Sequence, residues 1–124
     1  MNKEIKEKWI KALRSGEYKQ GRGYLRRDSG EGDRYCCLGV LAKECLGGEW
    51  VKKDGLGIYF NQLSDSVWIY RDNFSGEYKW GSFTKSITDH LEIKDPEWMD
   101  YLTDMNDNKY MNFDQIADWI EIHL

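Results

Sequence analysis

Three cysteines and a histidine are the residues of this chain whose side chains are most reactive. Cys36 and Cys37 are adjacent, and Cys45 follows eight positions after Cys37. A cysteine at the start of a helix is activated, because the helix dipole stabilises its thiolate. Cys36 or Cys37, with His90 as the base, would therefore make the protein a cysteine hydrolase.

The surroundings of the cysteines favour a packing role over this chemistry. A helix that begins at Cys36 or Cys37 and ends at Leu46 would be apolar on nearly all sides, with Cys37, Leu41 and Cys45 on one face. Free cysteine behaves as a small hydrophobic residue and is among the most buried residue types. Zinc needs about four ligands in paired spacings, whereas the two histidines are far apart in this sequence. We expect core cysteines, no metal, no cofactor and no catalytic residue, although the hydrolase stays open as an alternative.

A nine-residue basic window follows the first predicted helix and contains four cations and no acid. The cations are Lys19, Arg22, Arg26 and Arg27, and Tyr24 lies among them. Arginine forks bind phosphate, and an aromatic face stacks on a nucleobase. If the segment is extended, Arg22, Tyr24 and Arg26 share one face and Arg27 points to the other, so Arg27 should contribute less. These five residues are the predicted ligand-binding site; the alternative is a solvated loop that balances the acidic half of the chain.

The net charge of −4 is unevenly distributed along the 124 residues. Residues 1–50 carry 11 Lys and Arg against 8 Asp and Glu, and residues 51–124 carry 7 against 14. Neither excess is large enough for a DNA mimic or for a general nucleic-acid coat. The composition therefore favours a smaller ligand or a protein partner.

Helix signals occur at both ends of the chain and in its centre. Asn2 can cap a first helix that ends before Gly16, and Asp95-Pro96 is a cap and first-turn pair for a helix that ends near Asn106. Asn112, with a glutamine three positions later, has the pattern of a capping box for the last helix.

Turn signals between these helices indicate a small antiparallel sheet. Residues 28–33 form a turn cluster between two short strands, and Asp54-Gly55 and Ser75-Gly76 each separate two extended segments rich in aromatic residues. Residues 82–93 form a polar connecting segment in this interpretation. The sequence predicts one α+β domain over residues 1–124, with aromatic hairpins packed against N-terminal, central and C-terminal helices.

Composition also indicates where the chain works and with what. The N-terminus has frequent charges and no apolar leader, and no apolar stretch approaches the roughly 20 residues that span a bilayer. We expect a cytoplasmic protein with reduced thiols and no membrane partner. Six Trp and eight Tyr are many for one small core, so we also expect a homo-oligomer, most simply a dimer.

Three segments of the chain resemble a family of small bacteriophage proteins. The segments are WIKALRSGEYKQGRGYLR, DRYCCLGVLAKE and LTDMNDNKYMNFDQIADWIE, which cover about two fifths of the sequence and leave residues 49–90 unmatched. The family has a Y-C-C-L-G-V-L centre and an F-x-x-I-A-x-x-I-E end. The resemblance implies a protein that acts in the cytoplasm of an infected host cell, against host machinery or host defence.

Together, these observations predict a phage accessory protein for counter-defence, which sequesters a phosphate-bearing nucleotide signal. Two alternatives remain open at this stage. One is an inhibitor that binds a host or phage protein, and the other is the cysteine hydrolase described above.

Overall fold

Helices lie at both ends and in the middle of the chain in the computed structural model, which describes residues 1–54 and 66–124. They are α1 (Lys3–Arg14), α2 (Cys37–Leu41) with a π-helical continuation (Ala42–Leu46), α3 (Lys85–His90), α4 (Trp98–Asp107) and α5 (Phe113–His123). The described strands are β1 (Lys19–Gln20), β2 (Arg26–Asp28), β3 (Asp33–Tyr35), β4 (Glu49–Asp54), β5 (Ser66–Arg71) and β6 (Tyr78–Lys79).

The strands form one sheet in the order β1-β3-β2-β5-β4, with β6 paired to β5. All pairs between the described strands are antiparallel except β1 with β3, which is parallel. The predicted α+β class, with a small sheet packed against helices, is confirmed.

The first and last helices begin where the sequence predicts. The side chain of Asn2 accepts a hydrogen bond from the backbone N–H of Ile5 at 3.1 Å. Asn112 and Gln115 form the predicted capping box, each side chain accepting from the other's backbone N–H at 2.9 Å. These contacts are local in sequence, which is why the pattern alone was sufficient.

The segment that precedes α4 differs from the prediction. Residues 82–93 contain a short helix, α3, instead of only a polar connection, because Ile87 and Leu91 bury one side of it in the core. Asp95 does not cap a helix that starts at Pro96. Its carboxylate accepts from the backbone N–H of Glu97 at 2.9 Å in a separate turn, and α4 begins at Trp98.

One predicted hairpin is present, and the other lies partly outside the described residues. β5 and β6 pair on either side of a turn that contains Ser75-Gly76, as expected. The turn at Asp54-Gly55 cannot be described, because Gly55 is outside the described residues. The strand that leads to it pairs with Ser66–Arg71.

The core fills the space between the helices and one face of the sheet. Trp9 and Trp98 are fully buried in it, and Tyr70 contributes from β5. The indole of Trp9 donates a hydrogen bond to the carbonyl oxygen of Cys37 at 2.9 Å, so α1 is tied to the start of α2.

The fully buried side chain of Asn106 connects α4 to β1 and to the start of α2. The Oδ1 atom of Asn106 accepts from the side-chain amide of Gln20 at 2.9 Å and from the backbone N–H of Cys37 at 3.3 Å. Its Nδ2 atom donates to the carbonyl oxygen of Gly21 at 2.9 Å and to the carboxylate of Asp107 at 2.8 Å. A single side chain from α4 thus holds β1 and the start of α2 together.

Replacement of Asn106 by leucine should destabilise the fold. The volume is nearly conserved, but the groups that bonded to the amide, including the backbone N–H of Cys37, lose their partners in a dry site. We expect a loss on the order of 3 kcal/mol in the free energy of unfolding, measured by urea denaturation.

Asn108→Ala is the matched control, because Asn108 is exposed at the same helix end and bonds only to Asp104 within the described hydrogen bonds. Its cost should stay below about 1 kcal/mol. Equal losses for the two variants would show that the buried amide has no special role.

Candidate anion-binding surface

The alternation of side chains along the strands gives the sheet two chemically different faces. Tyr35, Trp50 and Tyr70 lie on the face that packs on the helices, which we call the core face. The residues directly before or after these three in their strands point to the other side of the sheet, which we call the opposite face, because successive side chains of a strand alternate. The two faces divide the charges of the basic window between them.

A row of cations crosses the opposite face. The register pairs Lys19 with Arg34, Arg34 with Arg27, Arg27 with Val67, and Val67 with Lys53. Four of the five residues in this row, which spans all five strands of the sheet path, are therefore cations. With strands spaced by about 4.8 Å, Lys19 and Lys53 are roughly 19 Å apart. We call these four residues the cationic row.

Among the described residues, this arrangement places cations beside one another. Like charges directly opposite one another destabilise a sheet. Lys19, Arg34 and Lys53 form no ion pair with any residue that the structure describes. The only acid of the described strands on this face is Glu49, and its carboxylate lies 3.8 Å from Arg71 instead.

Gly21 makes room for the row. A Cβ atom on this glycine would lie 2.8 Å from the Cβ atom of Arg34, which is closer than real Cβ contacts. Gly21 also donates its backbone N–H to the carbonyl oxygen of Tyr35 at 2.8 Å. The glycine therefore lets the chain pass beside Arg34 without displacing it.

The core face has a balanced network in contrast. The guanidinium of Arg26 binds the carboxylate of Asp33 through two nitrogens, at 2.5 and 3.0 Å, and stacks 3.8 Å from the ring centroid of Trp68. The indole N–H of Trp68 donates to Asp33 at 3.2 Å, and Lys52 pairs with Asp28 at 2.9 Å. Each cation of this network has a carboxylate partner.

Arg22 lies apart from Arg26. Its guanidinium carbon is 4.5 Å from the ring centroid of Tyr110, in the connection between α4 and α5. The Nε atom of Arg22 is buried and has no hydrogen-bond partner in the described part of the chain. Tyr110 is 68% exposed and has a φ of +52°, a left-handed conformation that is rare for a residue other than glycine.

The expectation that Arg22, Tyr24 and Arg26 share one extended face is wrong. Residues 21–25 form no strand, and Gly23 has a φ of +85°, which turns the chain. Tyr24 is buried, with its ring centroid 6.2 Å from that of Trp80, so it offers little surface for a base. The placement of Arg27 on the face opposite to Arg26 is as expected.

Sequence reasoning missed Arg34, Lys53 and Tyr110. Arg34 and Lys53 lie outside the basic window and join it only through strand pairing. The pair Lys52-Lys53 gave one usable signal, because adjacent lysines in a strand point to opposite faces. Nothing local to Tyr110 indicated that Arg22 would contact it.

The three cysteines lie in or at the edge of the core. Cys37 is fully buried and Cys36 nearly so, while Cys45 is half-buried because the π-helical segment shifts it off the face of Cys37 and Leu41. Burial raises the pKa of Cys36 to about 12, that of Cys45 to about 11, and that of Cys37 well above its usual value.

His90 is exposed, and its ring lies 4.4 Å from that of Phe74. No hydrogen bond between described residues joins it to Cys36 or Cys37. This arrangement does not favour the cysteine hydrolase, since burial raises the pKa of both thiols and no side chain in the described part of the chain forms a hydrogen bond with either sulfur. Residues 1–54 and 66–124 also contain no cluster of three or more His, Cys, Asp or Glu side chains that could hold a metal ion.

Comparison with known proteins gives a family for the chain. Residues 1–124 match the family described as a domain of unknown function, DUF8296. The chain belongs to this family. It matches no curated protein and no solved structure. In the described ranges, none of the helices has the length and apolar character needed to cross a membrane.

A second exposed feature is the hairpin of β5 and β6. It presents Phe74, Tyr78 and Trp80, all of them large aromatic side chains that are between 43% and 56% exposed. Asp72, only 3% exposed, organises the turn. Its carboxylate accepts from the backbone N–H groups of Phe74 and Ser75, at 2.8 and 2.6 Å, and from the hydroxyls of Ser75 and Thr84, at 2.6 and 3.2 Å.

The hairpin should be acid-sensitive. Burial alone would raise the pKa of Asp72, but the hydrogen bonds from Ser75, Phe74 and Thr84 outweigh it and hold the pKa below its usual value. A lowered pKa stabilises the fold above the unfolded value of about 4, and this stabilisation is lost as the pH falls through the folded pKa.

Asp72→Asn should therefore lower the free energy of unfolding by on the order of 1–3 kcal/mol at pH 7, with a smaller difference from wild type near pH 3. Denaturant unfolding over this pH range measures it. Asp89→Asn, at an exposed carboxylate paired with Lys85, is the control. A difference between Asp72→Asn and wild type that does not change with pH would contradict the role of the charge.

The thiols should differ in reactivity. A bulky maleimide at neutral pH should label the half-buried Cys45 first, and Cys36 and Cys37 only as fast as the protein unfolds, because both are enclosed in the core. Mass spectrometry of peptides over time measures the order. Fast labelling of Cys37 in a folded Cys45→Ser variant would contradict the core assignment and reopen the hydrolase alternative.

Proposed function

We propose that the protein binds a phosphate-bearing nucleotide on the opposite face of its sheet and sequesters it. The observation that carries this proposal is the cationic row. Four cations are aligned across five strands, and three of them form no ion pair with a described residue. An anionic ligand would remove the repulsion within the row, so part of its binding free energy would come from relief of that repulsion.

The face also offers an aromatic ring for a base. Tyr78 pairs with Arg71 across β5 and β6, on the same face as the row, and the guanidinium carbon of Arg71 is 5.8 Å from its ring centroid. Val67 and Arg71 are four residues apart on β5, a distance of about 13 Å along the strand. A nucleotide is long enough to place phosphate on the row and its base near Tyr78.

The residues predicted from sequence have unequal roles in this proposal. Lys19 and Arg27 belong to the row. Arg26 binds the carboxylate of Asp33, which offsets part of its charge, so we expect it to contribute less to anion binding than a cation without a carboxylate partner. Tyr24 acts through packing against Trp80.

Binding without turnover is the favoured mode. The candidate nucleophiles, Cys36 and Cys37, are buried with raised pKa values. The biological setting comes from the resemblance to bacteriophage proteins. We place the protein in the cytoplasm of an infected host cell, where it would lower the free concentration of a nucleotide signal used in host defence, as a homo-oligomer.

A second candidate function, docking on a host or phage protein, is favoured by the aromatic hairpin. Phe74 lies in a turn that Asp72 fixes in place, so its backbone would lose little conformational entropy on binding, and Tyr78 and Trp80 are exposed in and after the next strand. Tyrosine and tryptophan are enriched among the residues that dominate protein interfaces.

Charge removal in the row should weaken nucleotide binding. Arg34→Gln should raise the Kd of a bound nucleotide by about 10- to 100-fold, because charge-assisted hydrogen bonds to phosphate are lost, and Lys53→Gln should raise it less. Calorimetry with a panel of cyclic and ADP-ribose-type nucleotides, at two salt concentrations, measures the effect. Affinity should fall with salt, and less steeply in the variants.

Lys52→Gln is the matched control, since Lys52 precedes Lys53 in β4 and points to the core face. Its Kd should stay within about threefold of wild type. Equal effects at Lys52 and Lys53 would show that only overall charge matters. Absence of heat from every nucleotide would favour the second candidate, which predicts that Trp80→Ala abolishes capture of a protein partner.

A further inference from the structure

Arg22 and Tyr110 form a contact that neither the packing of the core nor the cationic row explains. The guanidinium of Arg22 lies 4.5 Å from the tyrosine ring, and its Nε atom is buried without a hydrogen-bond partner in residues 1–54 and 66–124. A buried donor left unpaired costs about 1–3 kcal/mol. An unsatisfied buried donor requires an explanation, and a bound ion near the guanidinium is one of the ordinary explanations.

The backbones of both residues are held in place. On one side, Asn106 donates to the carbonyl oxygen of Gly21 at 2.9 Å, and Asp107 accepts from the backbone N–H of Gly23 at 3.2 Å. On the other side, the backbone N–H of Met111 donates to Met105 at 3.0 Å. Arg22 and Tyr110 are therefore prepositioned before any ligand arrives.

Tyr110 adopts an unfavourable conformation for a tyrosine. Its φ of +52° lies in the left-handed region, which asparagine and glycine tolerate far better. The side chain gains little burial in return, because 68% of it is exposed. Strain at an exposed aromatic residue that orients an arginine points to recognition of a ligand and not to stability.

Arg22 is close enough to the row to serve the same ligand. A Cβ atom on Gly21 would lie 2.8 Å from that of Arg34, so the two Cα atoms are within about 6 Å. Arg22 follows Gly21 and is another 3.8 Å along the chain at most, which places the Cα atoms of Arg22 and Arg34 within about 10 Å. Two arginine side chains can meet one ligand over this distance.

We infer that Arg22 binds a second phosphate group of the ligand held by the cationic row, with Tyr110 as the residue that positions its guanidinium. The ligand class is accordingly nucleotides with two or more phosphate groups. This inference rests on the proposed function, which requires only that one phosphate binds the row. Arginine suits the role because its planar fork forms paired hydrogen bonds with phosphate.

The test compares AMP with ADP by calorimetry. Wild type should bind ADP about tenfold more tightly than AMP, and Arg22→Gln should bind the two with equal affinity because it lacks the contact with the second phosphate. Tyr110→Phe, which keeps the ring, should keep the preference. Tyr110→Asn, which removes the ring and suits the left-handed backbone, should lose the preference without a loss of thermal stability.

The outcomes separate this inference from the proposed function. A preference for ADP that survives Arg22→Gln, or no preference in wild type, overturns the inference while binding to the row stands. Loss of the preference in Arg22→Gln without any effect of Arg34→Gln would show that Arg22 binds phosphate and the row does not, which overturns the proposed function and, with it, the inference. If neither nucleotide binds, pyrophosphate added to ¹⁵N-labelled protein decides: a shift of the Arg22 Nε–H signal supports the site, and an unchanged signal overturns it.

Discussion

The buried amide of Asn106 is the interaction on which the arrangement of the other elements depends. It bonds to Gln20, Gly21, Cys37 and Asp107, and it is fully enclosed. A polar group in such a place is tolerated only when all its hydrogen bonds are made. Because an amide has donors on one atom and acceptors on the other, just one relative placement of α4, α2 and β1 satisfies it.

The hydrogen bonds of Asn106 also determine where some surface residues lie. Gln20 and Gly21 belong to the segment that pairs with β3, so the amide also fixes Lys19 beside Arg34. Two residues of β1 make too few ladder hydrogen bonds to hold a parallel pair by themselves. The unfavourable alignment of cations at this edge is therefore imposed by the polar contacts behind it, which lie within the core.

The parts of the fold that the sequence predicts well are those set by nearby residues. Asn2 and Asn112 mark the starts of helices through bonds that reach only three positions ahead, and Ser75-Gly76 marks a turn. The parts that it predicts poorly depend on distant partners. α3 looks polar in sequence and is helical because its few apolar residues meet the core, and Cys45 leaves the predicted face because a π-helical turn changes the helical phase.

The candidate site is one of the parts that depend on residues distant in sequence. The basic window contains four cations that are close in sequence, but residues close in sequence need not share one face of a sheet. Strand alternation sends Arg26 to a carboxylate on the core face and Arg27 to the opposite face, where pairing adds Arg34 and Lys53 from other parts of the chain. The local charge count is the same for both arginines. Register decides that Arg26 meets Asp33 on the core face, whereas Arg27 lies between Arg34 and Val67 on the opposite face.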